Sequence, residues 1–162
     1  MGKPLVLVVD DEPDMANYIA KVVREAEKYN VVIAHNGKEA FEALEKNRSL
    51  FGLGDTLVGC VLLDIKMPEM DGLQFLEKLR KEYEKRIGVI IVSAYEDQEK
   101  WGKAMEGFVA GYLRKPFNNS NLLAYLDMFF TNPQFAIQQS RERLFGERFH
   151  ASLKKEKKNN TI

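Results

Sequence analysis

The chain has 162 residues, 24 basic and 24 acidic side chains, and 45% hydrophobic content. That is the length of one domain able to bury a core without disulfides. Zero net charge argues against a globally basic nucleic-acid binder or an acidic disordered chain. Cys60 is the single cysteine, which excludes an intrachain disulfide and a cysteine-based metal cluster and fits a reducing cytoplasm. The longest apolar runs, Leu5 to Val9 and Val58 to Leu63, fall far short of the roughly 18 residues a membrane span needs. Lys3-Pro4 followed by an acidic cluster does not read as a signal peptide.

Leu5 to Val9 is a continuous Val-rich run, as in a buried strand of a parallel sheet. Asp14 to Tyr29 carries apolar residues at helical spacing, with Pro13 suited to the first turn and Asp11 or Asp14 as cap. Val31 to Ala34 reads as a second strand, and Gly37 to Lys46 as a second helix. Asn47 to Thr56 is a loop rich in turn formers, before a third strand at Leu57 to Leu63. Met67 to Gly72 turns the chain into an amphipathic helix at Leu73 to Tyr83. Ile87 to Val92 is a fourth strand, and Glu96 to Glu106 a weaker helix interrupted by Gly102. Phe108 to Leu113 is a fifth strand, ended by Lys115-Pro116; Asn118 to Phe130 starts with cap formers and becomes a helix. Five strand–helix alternations predict an α/β fold, a parallel sheet covered on both faces.

In such sheets ligands bind beyond the carboxyl ends of the strands. Asp10, Asp11 and Glu12 follow the first strand, Asp64 the third, Ser93 the fourth and Lys115 the fifth. Clustered carboxylates repel one another unless a cation offsets them. Oxygen-only ligands suit Mg²⁺, and the lack of His or Cys at these positions argues against zinc. A carboxylate-held metal with a lysine and a hydroxyl is equipment for handling a phosphoryl group. One carboxylate is then a candidate nucleophile. Taken singly, Asp10-Asp11 could equally cap the next helix and Lys115 could be a surface amine. It is their recurrence at successive strand ends that points to a site.

These residues lie in LVLVVDDEP (Leu5 to Pro13), VLLDIKMPEMDG (Val61 to Gly72), IIVSAY (Ile90 to Tyr95) and YLRKPF (Tyr112 to Phe117). Together they closely resemble the receiver domain of two-component response regulators, the CheY-like family. The resemblance spans about residues 4 to 130. It implies a doubly wound, flavodoxin-like, five-stranded parallel sheet of order 2-1-3-4-5, with the extra C-terminal helix added. It implies a regulatory domain that catalyses only its own phosphorylation and dephosphorylation. Asp64 would be the phosphoacceptor for a sensor histidine kinase or phosphotransfer protein. Asp10, Asp11, Asp64 and the backbone carbonyl of Lys66 would hold Mg²⁺. Ser93 and Lys115 would stabilise the phosphoryl group, with Lys115 pairing to Asp64 beforehand. Ser93 and Tyr112 would form the switch, changing partner preference on the face of the fourth helix, fifth strand and fifth helix. Lys115-Pro116 would be a cis peptide, and Lys66 and Tyr95 would tune dephosphorylation. The alternatives are a phosphorylation-independent pseudo-receiver, and an aspartyl-phosphate hydrolase. The second is disfavoured because Asp64-Ile65-Lys66 lacks a second Asp.

The sequence departs from the family in places. Asp11 and Asp64 are separated by more residues than is usual, with the extra length assigned to Asn47 to Thr56, away from the active edge. Phe108-Val109 replaces a common Gly-Ala pair, with Gly107 one place earlier, and Trp101 stands where a small residue is common.

The boundaries read as a receiver at 1–131 and an amphipathic helix with a basic tail at 132–162. Residues 133–162 carry +4 and residues 1–132 carry −4. Gln134 to Leu153 looks helical, with Phe145, Phe149 and Leu153 every four residues and Ile137 and Leu144 nearby. Lys154 to Ile162 reads as a frayed terminus. The tail would pack on the receiver, pair two chains, or lead to an output domain or downstream effector. About 30 residues cannot form a DNA-binding domain, and the basic end argues for a solvated terminus over a nucleic-acid arm.

Overall fold

The structure, a computed structural model, describes residues 2–94, 102–104 and 107–159. Its strands are β1 (Leu5–Val9), β2 (Asn30–Ala34), β3 (Val58–Leu63), β4 (Gly88–Ser93) and β5 (Gly111–Arg114). Its helices are α1 (Pro13–Glu25), α2 (Gly37–Lys46), α3 (Ser49–Gly52), α4 (Gly72–Tyr83), α5 (Asn119–Thr131) and α6 (Pro133–Asn159). The helix expected at Glu96 to Glu106, with Trp101, lies mostly outside the described residues; Gly102 to Ala104 are helical.

All strand pairs are parallel, in the order β2-β1-β3-β4-β5. The expected doubly wound sheet is therefore present. Val6 to Val9 are all fully buried, because successive side chains of β1 point to opposite covered faces. Val6 and Val8 pack with Ile19 and Val23 of α1 and Leu122 and Leu126 of α5. Leu7 and Val9 pack with Leu44 of α2 and Phe75 and Leu79 of α4. α6 packs against α5 and β5.

Helix starts follow local chemistry. Pro13 sits at the start of α1, and Glu12 rather than Asp11 or Asp14 is the cap residue. The residue before a proline is held extended, which is cap geometry. Asn36 accepts a 2.8 Å bond from Glu39 N–H at the start of α2. Asp71 and Gln74 form a reciprocal capping box on α4.

Three expectations are corrected. α1 ends at Glu25, short of Tyr29. β5 begins at Gly111 rather than Phe108, because Phe108 has φ 55°. Arg80 also donates to the Gly107 carbonyl at 2.6 Å, fixing this approach as a turn. The basic stretch from Lys154 continues α6 to Asn159, since Lys and Glu are good helix formers. The inward face of α6 is Ala136, Ser140 and Leu144, so of the expected apolar residues Leu144 is buried and Phe145 is 69% exposed; the side chains of Phe149 and Leu153 lie outside the described residues.

The 47–56 segment is a tied loop. Ser49 N–H donates to Asp55 O at 2.9 Å and Arg48 Nε to Gly54 O at 2.7 Å. It leads into the amino end of β3, opposite the carboxyl edge. Leu50 and Phe51 adopt φ of 51° and 56° and, with Leu53, are exposed.

Candidate phosphoacceptor site

The backbone pattern runs one residue past the strands and fixes the carboxylates. Asp10 N–H donates to Ala34 O at 3.1 Å, and Asp64 N–H to Val9 O at 2.9 Å. Both side chains are almost wholly buried, at 1% and 5% exposure. One carboxylate oxygen from each of Asp10, Asp11 and Asp64 lies within 4.8 Å of the others. Asp10 Oδ1 accepts the Glu12 N–H at 3.0 Å, which aims its other oxygen into the group.

Lys115 Nζ reaches this cluster from the end of β5. It lies 2.6 Å from Asp10 Oδ2 and 3.7 Å from Asp64 Oδ2. The lysine therefore stands between the two carboxylates, closer to Asp10 than to the expected Asp64. Lys115 N–H also donates to Ser93 O at 3.2 Å, tying the fifth-strand end to the fourth. The Lys115–Pro116 bond is cis. Ser93 is buried at the end of β4, and its hydroxyl bonds Asp64. Lys66 follows Asp64 with its side chain exposed, and its backbone N–H bonds the Asp64 carboxylate. Tyr95 lies outside the described residues.

Burial pushes the Asp64 carboxyl above its usual range, with the Asp10 charge adding to the rise; Lys115, Ser93 and the Lys66 backbone pull against it. The folded protein thus holds the Asp64 proton more tightly than the unfolded chain does. The stability this contributes is present below the unfolded carboxyl pKa, about 3.9, and is lost as pH rises through the folded one. With divalent cations chelated, Asp64→Asn is therefore expected to be more stable than the parent near neutral pH. The difference should shrink on acidification. Urea melts at two pH values check this; an Asn variant less stable at about pH 7 contradicts it.

The donor set fits a hard divalent cation. Three carboxylates, two of them buried, are balanced here by one ammonium, so the cluster carries excess negative charge. Tyr112, on β5, is buried, and burial pushes its hydroxyl up. His35, not among the expected site residues, directly follows β2 and its Nδ1 lies 3.1 Å from the Asp10 carbonyl oxygen; its place after the second strand is the sequence signal for it.

The fold and this constellation define a receiver-type module of two-component signalling. Residues 6–127 match the model of the response regulator receiver domain, and the chain belongs to that family. It is 36% identical over 117 residues to the transcriptional regulatory protein SrrA of Staphylococcus aureus, covering 70% of this chain and 42% of that protein. It is 32% identical over 124 residues to the hybrid signal transduction histidine kinase D of Dictyostelium discoideum, covering 76% of this chain and 7% of that protein. The chain thus spans less than half the length of either relative. Among solved structures it resembles the Vibrio cholerae chemotaxis protein CheY4 at 26% identity, TM-score 0.67, covering 78% of this chain and 98% of that one. A response regulator receiver protein from Pseudomonas putida shares the fold at TM-score 0.70 and 24% identity, covering 78% of this chain and 98% of that one. No helix among the described residues is long and apolar enough to cross a membrane.

Proposed function

We propose that Asp64 accepts a phosphoryl group from a histidine kinase or phosphotransfer protein, and that the modified receiver changes its partners. The observation that carries this is the convergence of Asp10, Asp11, Asp64, Ser93 and Lys115 at one sheet edge. Asp10, Asp11, Asp64 and the Lys66 carbonyl are the groups that would hold Mg²⁺. When bound, that ion supplies charge neutralisation for the incoming phosphoryl oxygens. An Asp64 oxygen forms the bond to phosphorus as the phosphorus–nitrogen bond of the donor's imidazole breaks. The leaving nitrogen keeps the electron pair and takes up a proton. Lys115, already between Asp10 and Asp64, is within reach of the transferred oxygens, and Ser93 donates to one of them.

Phosphorylation adds roughly −1.5 to −2 of charge and three acceptor oxygens. Ser93 and Lys115 are drawn to it, and Tyr112 on the adjoining strand follows as the switch. Lys66 and Tyr95 set the rate at which water removes the group. On this reading residues 1–131 are the receiver, and the helical tail at 132–162 leads toward the output. The names of the two relatives, a hybrid histidine kinase and a transcriptional regulator, fit a kinase donor and an effector or output domain, in a cytoplasmic setting.

Incubation with Mg²⁺ and a small acyl-phosphate donor, followed by intact-mass measurement, tests this reading. The expected result is one phosphoryl adduct that Mg²⁺ removal or Asp64→Ala abolishes. An absent adduct, or one that survives Asp64→Ala, overturns it.

A further inference from the structure

α6 lies over the strand that carries Tyr112. Its buried residues Ala136, Ser140 and Leu144 are four apart, one face of a helix. Leu144 joins the core cluster that contains Tyr112 and Val109. Ala136, with Ile137 beside it, joins the opposite cluster of Leu122 and Leu126. The helix therefore crosses the margin of the sheet at β5. Arg143 Nη1 donates to the Tyr125 hydroxyl, and the Tyr125 ring lies directly against Gly111 of β5. Arg141 sits 5.8 Å from the ring centroid of Phe108, in the turn before that strand.

The docking is loose. Leu144 is the one large buried side chain among the described residues of α6. Ser140 Oγ is buried without a hydrogen-bond partner, which opposes docking. A solvent-open cleft of about 310 Å³ lies between the helix and β5, lined by buried Tyr112, Ser140 and Leu144 and by exposed Arg114, Arg143 and Glu147. The seam between α6 and β5 is therefore not fully closed. Beyond Leu144, no described residue of α6 is buried.

We propose that α6 is the resting occupant of the β5 face, and that phosphorylation of Asp64 loosens it and frees that face for another protein. This rests on the phosphoacceptor role assigned to Asp64 above. The connection is short. Ser93 pairs with Arg114 in the sheet register, and Lys115 N–H is bonded to Ser93 O. A phosphoryl group that draws Ser93 and Lys115 therefore pulls on β5, where Arg114 and Tyr112 line the cleft. The modification discriminates between two arrangements of that strand, as a population shift requires, and a weakly packed helix yields first.

Amide hydrogen exchange across residues 133–159 of the full chain tests the proposal, with adduct level read by intact mass on the same samples. Exchange near Ser140 to Leu144 is expected to quicken on phosphorylation by roughly 5- to 150-fold, the range of a typical coupling. Arg143→Gln should quicken it in the unmodified protein. Ser140→Ala, which removes the unpaired hydroxyl, should slow it. A complete adduct with unchanged α6 exchange overturns this inference alone. No adduct at all overturns the phosphoacceptor reading and this inference with it. Exchange in Ser140→Ala as fast as in the parent overturns the loose docking on which the release depends.

Discussion

Gly72→Ala is expected to lower stability by about 3 kcal/mol or more, at the upper end of the overpacking range, and to reduce phosphoryl acceptance with it. A Cβ at residue 72 would lie 2.2 Å from the Asp64 carbonyl oxygen and 2.7 Å from Ile65 Cα. Those are backbone atoms with no rotamer to escape into. Gly72 N–H also donates to Ile65 O at 2.7 Å, so the start of α4 is clamped on the segment that carries Asp64. Relief of the clash must move either the helix or Asp64. Urea denaturation and the adduct assay measured together check this. A Gly72→Ala protein of parental stability and parental adduct yield would show that the approach is not restrictive.

Lys115→Met should produce the second large effect, with two readouts of opposite dependence on Mg²⁺. The lysine side chain is 11% exposed and Asp10 is 1% exposed. Removing the ammonium leaves buried carboxylates uncompensated, and breaking such a pair costs about 3–5 kcal/mol. That loss is expected in chelator. Mg²⁺ should recover part of it, because an ion at the carboxylates replaces the missing charge. Mg²⁺ should also bind more tightly to the variant, since it no longer competes with the amine. The rate of adduct formation should nevertheless fall by about 10²- to 10³-fold, the usual consequence of losing one donor to the transferring oxygens. A stability loss that Mg²⁺ leaves unchanged would indicate that lysine and ion do not share the same charges.

The sheet was legible because its strands announce themselves twice, as short apolar runs and as runs ended by chemically unusual residues. Asp10, Asp64, Ser93 and Lys115 can be placed on one edge from the sequence alone, since parallel strands share a direction. Boundaries were less legible where a tertiary contact decides them. Phe108 reads as strand in isolation, yet Arg80, 28 residues earlier in the chain, binds the carbonyl of Gly107 beside it. The pairing of Lys115 was likewise invisible. Sequence places the amine near two carboxylates, and only the geometry selects Asp10 as the nearer. The packing face of α6 was not legible either: the helix meets β5 and α5 through Ala136, Ser140 and Leu144, while Phe145, in the more hydrophobic stripe, is exposed.

The position of α6 also bears on how the sheet can grow. A five-stranded open sheet has two margins, each with a row of backbone groups available to a further strand. At β5 that margin is crossed by α6, which stands where an added strand would have to lie. At β2 no described helix crosses from one core layer to the other, and its burial is only partial along Asn30 to Ile33. Strand addition, and with it edge-to-edge aggregation, is therefore directed to the β2 side while α6 is docked. Release of the helix would open the second margin, so a brief release limits the time that both edges are available to other strands.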